Sequence, residues 1–157
     1  MIAVGFDPGT RRAGYAVIQQ ELSTPALLEA GLLKAEAGSE HEMLAELSAA
    51  VRDICARYKP SVIGIERLYF AKNQRTAMAV AQGRGAILSA AAQCGAQILE
   101  FSPNEVKLQV TGTGGADKKA VAKMVRLILK RADLSLIDDA MDAAAIALCA
   151  IRGSKFK

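Results

Sequence analysis

Two short apolar runs in this chain each stop on a carboxylate, and that repetition narrows the folds open to it. Residues 2–6 end at Asp7, and residues 61–65 end at Glu66. Pro8, Gly9 and Thr10 follow the first run, and Pro60 precedes the second. Apolar runs of this length, bounded by turn residues, predict buried strands. Open α/β sheets place their sites at the C-terminal edge of parallel strands. If these two strands are parallel neighbours, Asp7 and Glu66 stand side by side there. Two bare carboxylates at that spacing repel, and one takes up a proton unless a cation bridges them.

The other elements agree with a layered α/β structure. Residues 14–20 and 27–34 read as two further strands, with Ser23, Thr24 and Pro25 between them, which makes a three-strand meander with the first. Ser39 and Glu42 have capping-box spacing, and Met43, Leu44, Leu47, Val51, Ile54 and Tyr58 recur at helical intervals up to Pro60. Residues 76–94 predict a helix rich in Ala, Met and Gly, and residues 97–101 a fifth strand. Ser102, Pro103 and Glu105 predict another helix start. A glycine-rich turn over 111–116 leads to a basic helix over 117–131. A last helix over about 136–152 ends at Gly153, a favoured cap residue. The expectation is an α/β fold with a mixed five-stranded sheet, the meander plus parallel strands, flanked by helices. Its 157 residues fit one domain, 1–157, with no repeat or linker to divide it.

The last helix adds acids. Asp139 and Asp142 are three residues apart and share a face, while Asp138 points away. The following Ala143, Ala144, Ala145, Ile146, Ala147 and Leu148 are too apolar for a surface helix and must pack on the sheet. That packing brings Asp139 and Asp142 to the mouth of the layer. With Asp7 and Glu66 they offer hard oxygen ligands without nitrogen or sulfur, a set suited to Mg2+ or Mn2+ and not to zinc. Two such ions about 3.5–4 Å apart are the standard device for in-line phosphodiester hydrolysis.

Charge points the same way. The net charge is +4, but residues 67–131 hold eleven bases against three acids, and Tyr69 and Phe70 interrupt them. Such a segment predicts a phosphate-contacting surface. The single His41 excludes mechanisms that need two histidines. Cys55, Cys94 and Cys149 are odd in number and set in apolar context, so they read as reduced thiols of a cytoplasmic protein. No apolar run reaches membrane-spanning length, and the first residues lack the pattern of a signal peptide.

Four stretches in order resemble the RuvC-type Holliday-junction resolvases, a family of crossover-junction endodeoxyribonucleases with the ribonuclease-H-like fold. They are GFDPGTRRAGYAVI, IERLYFAKN, GTGGADKKAV and DDAMDAAAIA. The resemblance implies that Asp7, Glu66, Asp139 and Asp142 bind two ions per subunit, Mg2+ or Mn2+. It implies symmetric cleavage leaving 5′-phosphate and 3′-hydroxyl ends, in recombination and DNA repair. Lys107 and Lys118 match basic positions near the scissile phosphate, and Lys119 lies in the same basic loop. Tyr69 matches an aromatic that probes the junction; Tyr69 and neighbouring Phe70 are both expected at the DNA, one ring stacking on a base, with Tyr69 favoured, and the other plugging the sheet edge. Lys72, Arg75 and Arg84 are expected to contact the DNA backbone, and Arg11 and Arg12 lie close enough to Asp7 to meet phosphate. The family acts as a homodimer, which suits the nearly all-round apolar helix over 76–94, and it works with RuvA and RuvB. Two other readings stay open from the residues: a ribonuclease-H-like nuclease acting on RNA, and a non-catalytic module for branched DNA.

Overall fold

The structure, a computed structural model, describes residues 1–9, 12–21, 24–36, 38–68 and 74–154, with the backbone alone for 74–76. Five strands, β1 (Ile2–Pro8), β2 (Arg12–Glu21), β3 (Thr24–Lys34), β4 (Val62–Glu66) and β5 (Gln97–Phe101), form one sheet in the order β3-β2-β1-β4-β5. β1, β2 and β3 are an antiparallel meander, and β4 and β5 run parallel to β1. The helices are α1 (Glu40–Tyr58), α2 (Gln74–Ala92), α3 (Pro103–Thr111), α4 (Lys118–Ile128) and α5 (Asp138–Ser154). The expected mixed five-stranded sheet is therefore present, with helices on both faces.

Alternation along the strands divides the core in two. Val4, Phe6, Val17, Ile63 and Ile65 face α1 and α2, where they meet Leu47, Val51, Ile54 and Ile87. Ala3, Ile18 and Val62 face α3, α4 and α5. Each fully buried Val, Ile or Phe stabilises the fold by roughly 1.5–3 kcal/mol. On the second face α5 lies unusually close. Its residues from Ala143 to Ala147 are each 0% exposed. The α5 backbone meets bare backbone on the sheet: a Cβ on Gly5 would lie 2.1 Å from the Ala143 carbonyl oxygen, and one on Gly14 would lie 1.9 Å from that of Asp139. Close approach of backbone to backbone is the reason these two positions lack a side chain.

Local signals fix the helix ends. The Glu42 carboxylate accepts from the Ser39 N–H at 3.3 Å, and α1 closes on Lys59 in the left-handed region just before Pro60. Ser102 Oγ accepts from the Glu105 N–H at 3.1 Å, and the Glu105 carboxylate accepts from the Ser102 N–H at 2.6 Å. The Asp117 carboxylate caps α4 by accepting from the Ala120 N–H at 2.7 Å.

Two expectations are corrected. Thr24 and Pro25 do not stand in a turn but begin β3, where Pro25 pairs with Gln20. β3 is the sheet edge, so the missing N–H of proline leaves no ladder partner unsatisfied. Gly153 does not cap α5, which continues to Ser154. A Cβ at Gly153 would sit 3.0 Å from a Leu99 methyl, so a packing demand selects glycine there. All three cysteines are free, with Cys55 and Cys149 buried.

Away from the acidic edge, Glu29 on β3 ties the edge strand to α1. It accepts from the Tyr15 hydroxyl at 2.5 Å, from the Tyr58 hydroxyl, and from Arg57 Nη1 at 2.8 Å. The Tyr15 and Tyr58 hydroxyls, with Arg57, pull its carboxyl down to about 2. A depressed acid stabilises the fold above its ordinary value near 4.5 and loses that contribution as pH falls toward 2. Thermal unfolding followed from pH 6 to pH 2 is therefore expected to show a shallower loss of stability in Glu29→Gln than in the parent chain. The variant should also melt lower at pH 7.

Candidate active site

Parallel pairing sets Phe6 beside Ile65, so the next residues, Asp7 and Glu66, emerge together at the C-terminal edge of β1 and β4. The glycine-lined approach of α5 then delivers its first two turns to the same edge. Asp7, Glu66 and Asp142 line one cleft of about 320 Å³ with Lys107 and Lys118. Pro103 and Val106 of α3 and Val121 of α4 form its apolar walls.

The electrostatics follow from that convergence. Burial, then the charges of Glu66, Asp142 and Asp139, push the Asp7 carboxyl up to about 8, and Lys118 opposes them. Burial and Asp142 also raise Glu66, against Lys118 and Lys107. Lys118 Nζ stands 3.2 Å from Asp142 Oδ2, and this pairing raises the lysine in turn. Arg12 Nε stands 2.8 Å from Asp139 Oδ2. Among the described residues, no three His, Cys, Asp or Glu side chains are drawn together tightly enough to hold an ion. Each of the two α5 acids is instead paired with a protein cation, Asp142 with Lys118 and Asp139 with Arg12. The donor set nevertheless fits a hard divalent cation: every candidate donor is a carboxylate oxygen, and Asp7 is a half-buried acid crowded by three others.

Of the basic residues singled out in the sequence, Lys107 and Lys118 reach the cleft. Lys119 is exposed on the first turn of α4. Arg84 differs from expectation. It does not face outward to a phosphate: its Nε donates to the Glu66 main-chain oxygen at 3.0 Å, and its Nη2 pairs with the Glu100 carboxylate. The guanidinium braces the end of β4 from inside. Its one signal in the sequence is a cation in the middle of a helix otherwise poor in charge. Arg12, also expected near phosphate, pairs with Asp139. Tyr69, Phe70, Lys72 and Arg11, and the Arg75 side chain, lie outside the described residues. Asp138 is exposed and takes no part in the cleft.

This sheet order, with acids from two parallel central strands and from the helix packed across them, defines a ribonuclease-H-like nuclease domain. Comparisons with known proteins place it more narrowly. Residues 3–150 match the family model for crossover junction endodeoxyribonuclease RuvC. A crossover junction endodeoxyribonuclease RuvC from Chloroflexus aggregans is 42% identical over 150 residues, 95% of this chain and 92% of that protein. The solved structure of Thermus thermophilus RuvC superposes with a TM-score of 0.90 at 29% identity, over 99% of this chain and 96% of that one. T. thermophilus RuvC in complex with Holliday junction substrate gives the same TM-score at 28% identity. The chain belongs to the crossover junction endodeoxyribonuclease RuvC family.

Proposed function

We propose that this chain resolves Holliday junctions by hydrolysing one phosphodiester bond in each of two symmetry-related strands, leaving 5′-phosphate and 3′-hydroxyl ends. The observation that carries this reading is the cleft where Asp7, Glu66 and Asp142 share a wall with Lys107 and Lys118. Divalent-ion ligands and phosphate-binding cations are thereby held in one recess. The likeness to the Thermus protein solved with a junction, over 99% of this chain, supports the substrate.

Asp7, Glu66, Asp139 and Asp142 would hold two ions, Mg2+ or Mn2+. When bound, such a pair supplies an activated water and stabilises the leaving oxygen. The protein's own cations do the rest. Lys118 and Lys107 face the position of the scissile phosphate and neutralise its oxygens. Releasing Asp142 and Asp139 to metal would free Lys118 and Arg12 for the DNA. Lys72, Arg75 and Lys119 extend the backbone contact, and Tyr69 stacks on an unpaired base for about 1–3 kcal/mol, with Phe70 packed beside it. Two cuts related by a twofold axis call for a C2 homodimer. The outer face of α2, where Met78 is 67% exposed, suits that contact. Family membership supports function alongside RuvA and RuvB in the cytoplasm. Among the described residues no helix is long and apolar enough to cross a membrane.

Synthetic four-way junctions with Mg2+ test the proposal. Paired symmetric nicks on the junction, with duplex DNA and RNA–DNA hybrid left intact, are expected. Preferential cutting of the hybrid would overturn it.

The brace at Arg84 gives a separate expectation. Arg84→Met should slow cleavage about 10- to 100-fold, the usual loss when the support of a metal ligand is removed. The salt dependence of junction binding should stay the same. A phosphate contact would behave differently, since its removal lowers the salt slope by about 1.

A further inference from the structure

α4 carries a second recess, distinct from the catalytic cleft. Val121 and Val125 of this helix, with Leu129 just beyond it, are buried against the core. On the other side Lys119, Lys123 and Leu127 repeat at four-residue spacing, and Lys130 follows. Lys123, Arg126, Leu127, Lys130 and Ala132 line a shallow, mainly apolar recess of about 470 Å³. Leu127 is 59% exposed and forms the apolar centre of this recess.

Three cations surround this apolar floor, and among the described residues none of them has a salt-bridge partner. The Arg126 Nε donates to the Leu134 carbonyl at 2.7 Å, which fixes the side chain without neutralising it. The nearest acid in sequence, Asp133, is taken by Arg131 at 3.1 Å. The recess is therefore both positively charged and greasy. A phosphate backbone needs the first property and has no use for the second. A peptide that places an apolar side chain between carboxylates uses both.

We propose that the C-terminal half of α4 is a docking site for an acidic peptide segment of a partner protein. One large apolar side chain of the segment lies over Leu127, and its carboxylates meet Lys123, Arg126 and Lys130. At 1.5 Å per residue, Lys123 to Leu127 lie about 8–14 Å along the helix from Lys118, and Lys130 follows just past its end, so the bound peptide sits beside the cleft and leaves it open.

The probe is a fluorescein-labelled hexapeptide, Asp-Asp-Asp-Asp-Leu-Phe, followed by anisotropy with the full chain in about 0.1 M salt. Binding is expected to weaken about tenfold or more in three cases: when Ser-Ser replaces Leu-Phe, in Leu127→Ser, and in the double variant Lys123→Glu/Lys130→Glu. Junction cleavage and melting temperature of the double variant are expected to match the parent. Absence of peptide binding, or binding that all three changes leave intact, overturns the proposal. A comparable loss of junction affinity in the double variant also overturns it, and assigns the stripe to a DNA arm.

Discussion

Asp7→Asn is expected to lower junction cleavage by about 10³-fold or more while junction affinity stays within about twofold. The change removes one charged oxygen from the set that would hold both ions, and several kcal/mol of metal-derived stabilisation correspond to that loss of rate. The basic surface is untouched, so the binding energy from phosphate contacts remains. A second readout separates this from simple damage. Burial and three neighbouring acids push Asp7 up to about 8. An acid raised in this way lends stability at low pH and loses it as pH climbs toward 8, because the native state must give up a proton that it holds more tightly than the unfolded chain does. The neutral asparagine escapes that loss. In EDTA at pH 8 the variant should melt higher than the parent, by about 2–4 °C for each kcal/mol of relieved repulsion. A catalytically dead protein that is more stable is the signature of charges kept for function.

The second large effect is structural. Gly5→Ala would place a methyl 2.1 Å from the Ala143 oxygen and 2.6 Å from the Ala147 nitrogen. Both are backbone atoms of α5, so no rotamer change relieves the clash, and the helix must move off the sheet. The expected cost is about 3 kcal/mol, at the upper end of ordinary overpacking. It would appear as a fall of about 6–12 °C in melting temperature. Asp139 and Asp142 ride on that helix, so cleavage should fall with stability. Gly38→Ala, where nothing lies within 4 Å of the added carbon, is the control and should change neither.

The acidic edge was legible because strand ends and helix faces are local properties. An apolar run that stops at Asp7 or Glu66 places its carboxylate without knowledge of the rest of the chain. The spacing of Asp139 and Asp142 likewise follows from helix geometry alone. Caps at Ser39 and Ser102 are local in the same sense. The parts that escaped depend on distant partners. Pro25 is tolerated in a strand only because β3 has no outer neighbour. Gly153 looks like a helix stop until Leu99 is seen against it. Arg84 reads as a surface cation in a basic segment, and only the fold brings the Glu66 carbonyl and the Glu100 carboxylate to meet it. The pairing of Asp139 with Arg12 joins α5 to β2 across more than a hundred residues, and no spacing rule announces it. The recess beside Leu127 was hidden for a related reason. A leucine at helical spacing reads as core, and its exposure appears only once Val121 and Val125 are seen to claim the inner face.

The central proposal is that Asp7, Glu66, Asp139 and Asp142, from two parallel strands and one helix, together hold divalent ions. Anomalous diffraction from a crystal soaked in Mn2+ addresses it without reference to activity. The account predicts ions bonded to oxygens of Asp7, Glu66, Asp139 and Asp142, with the α5 acids turned away from Arg12 and Lys118. Manganese absent from this edge, with Asp139 still paired to Arg12 and Asp142 to Lys118, would contradict it.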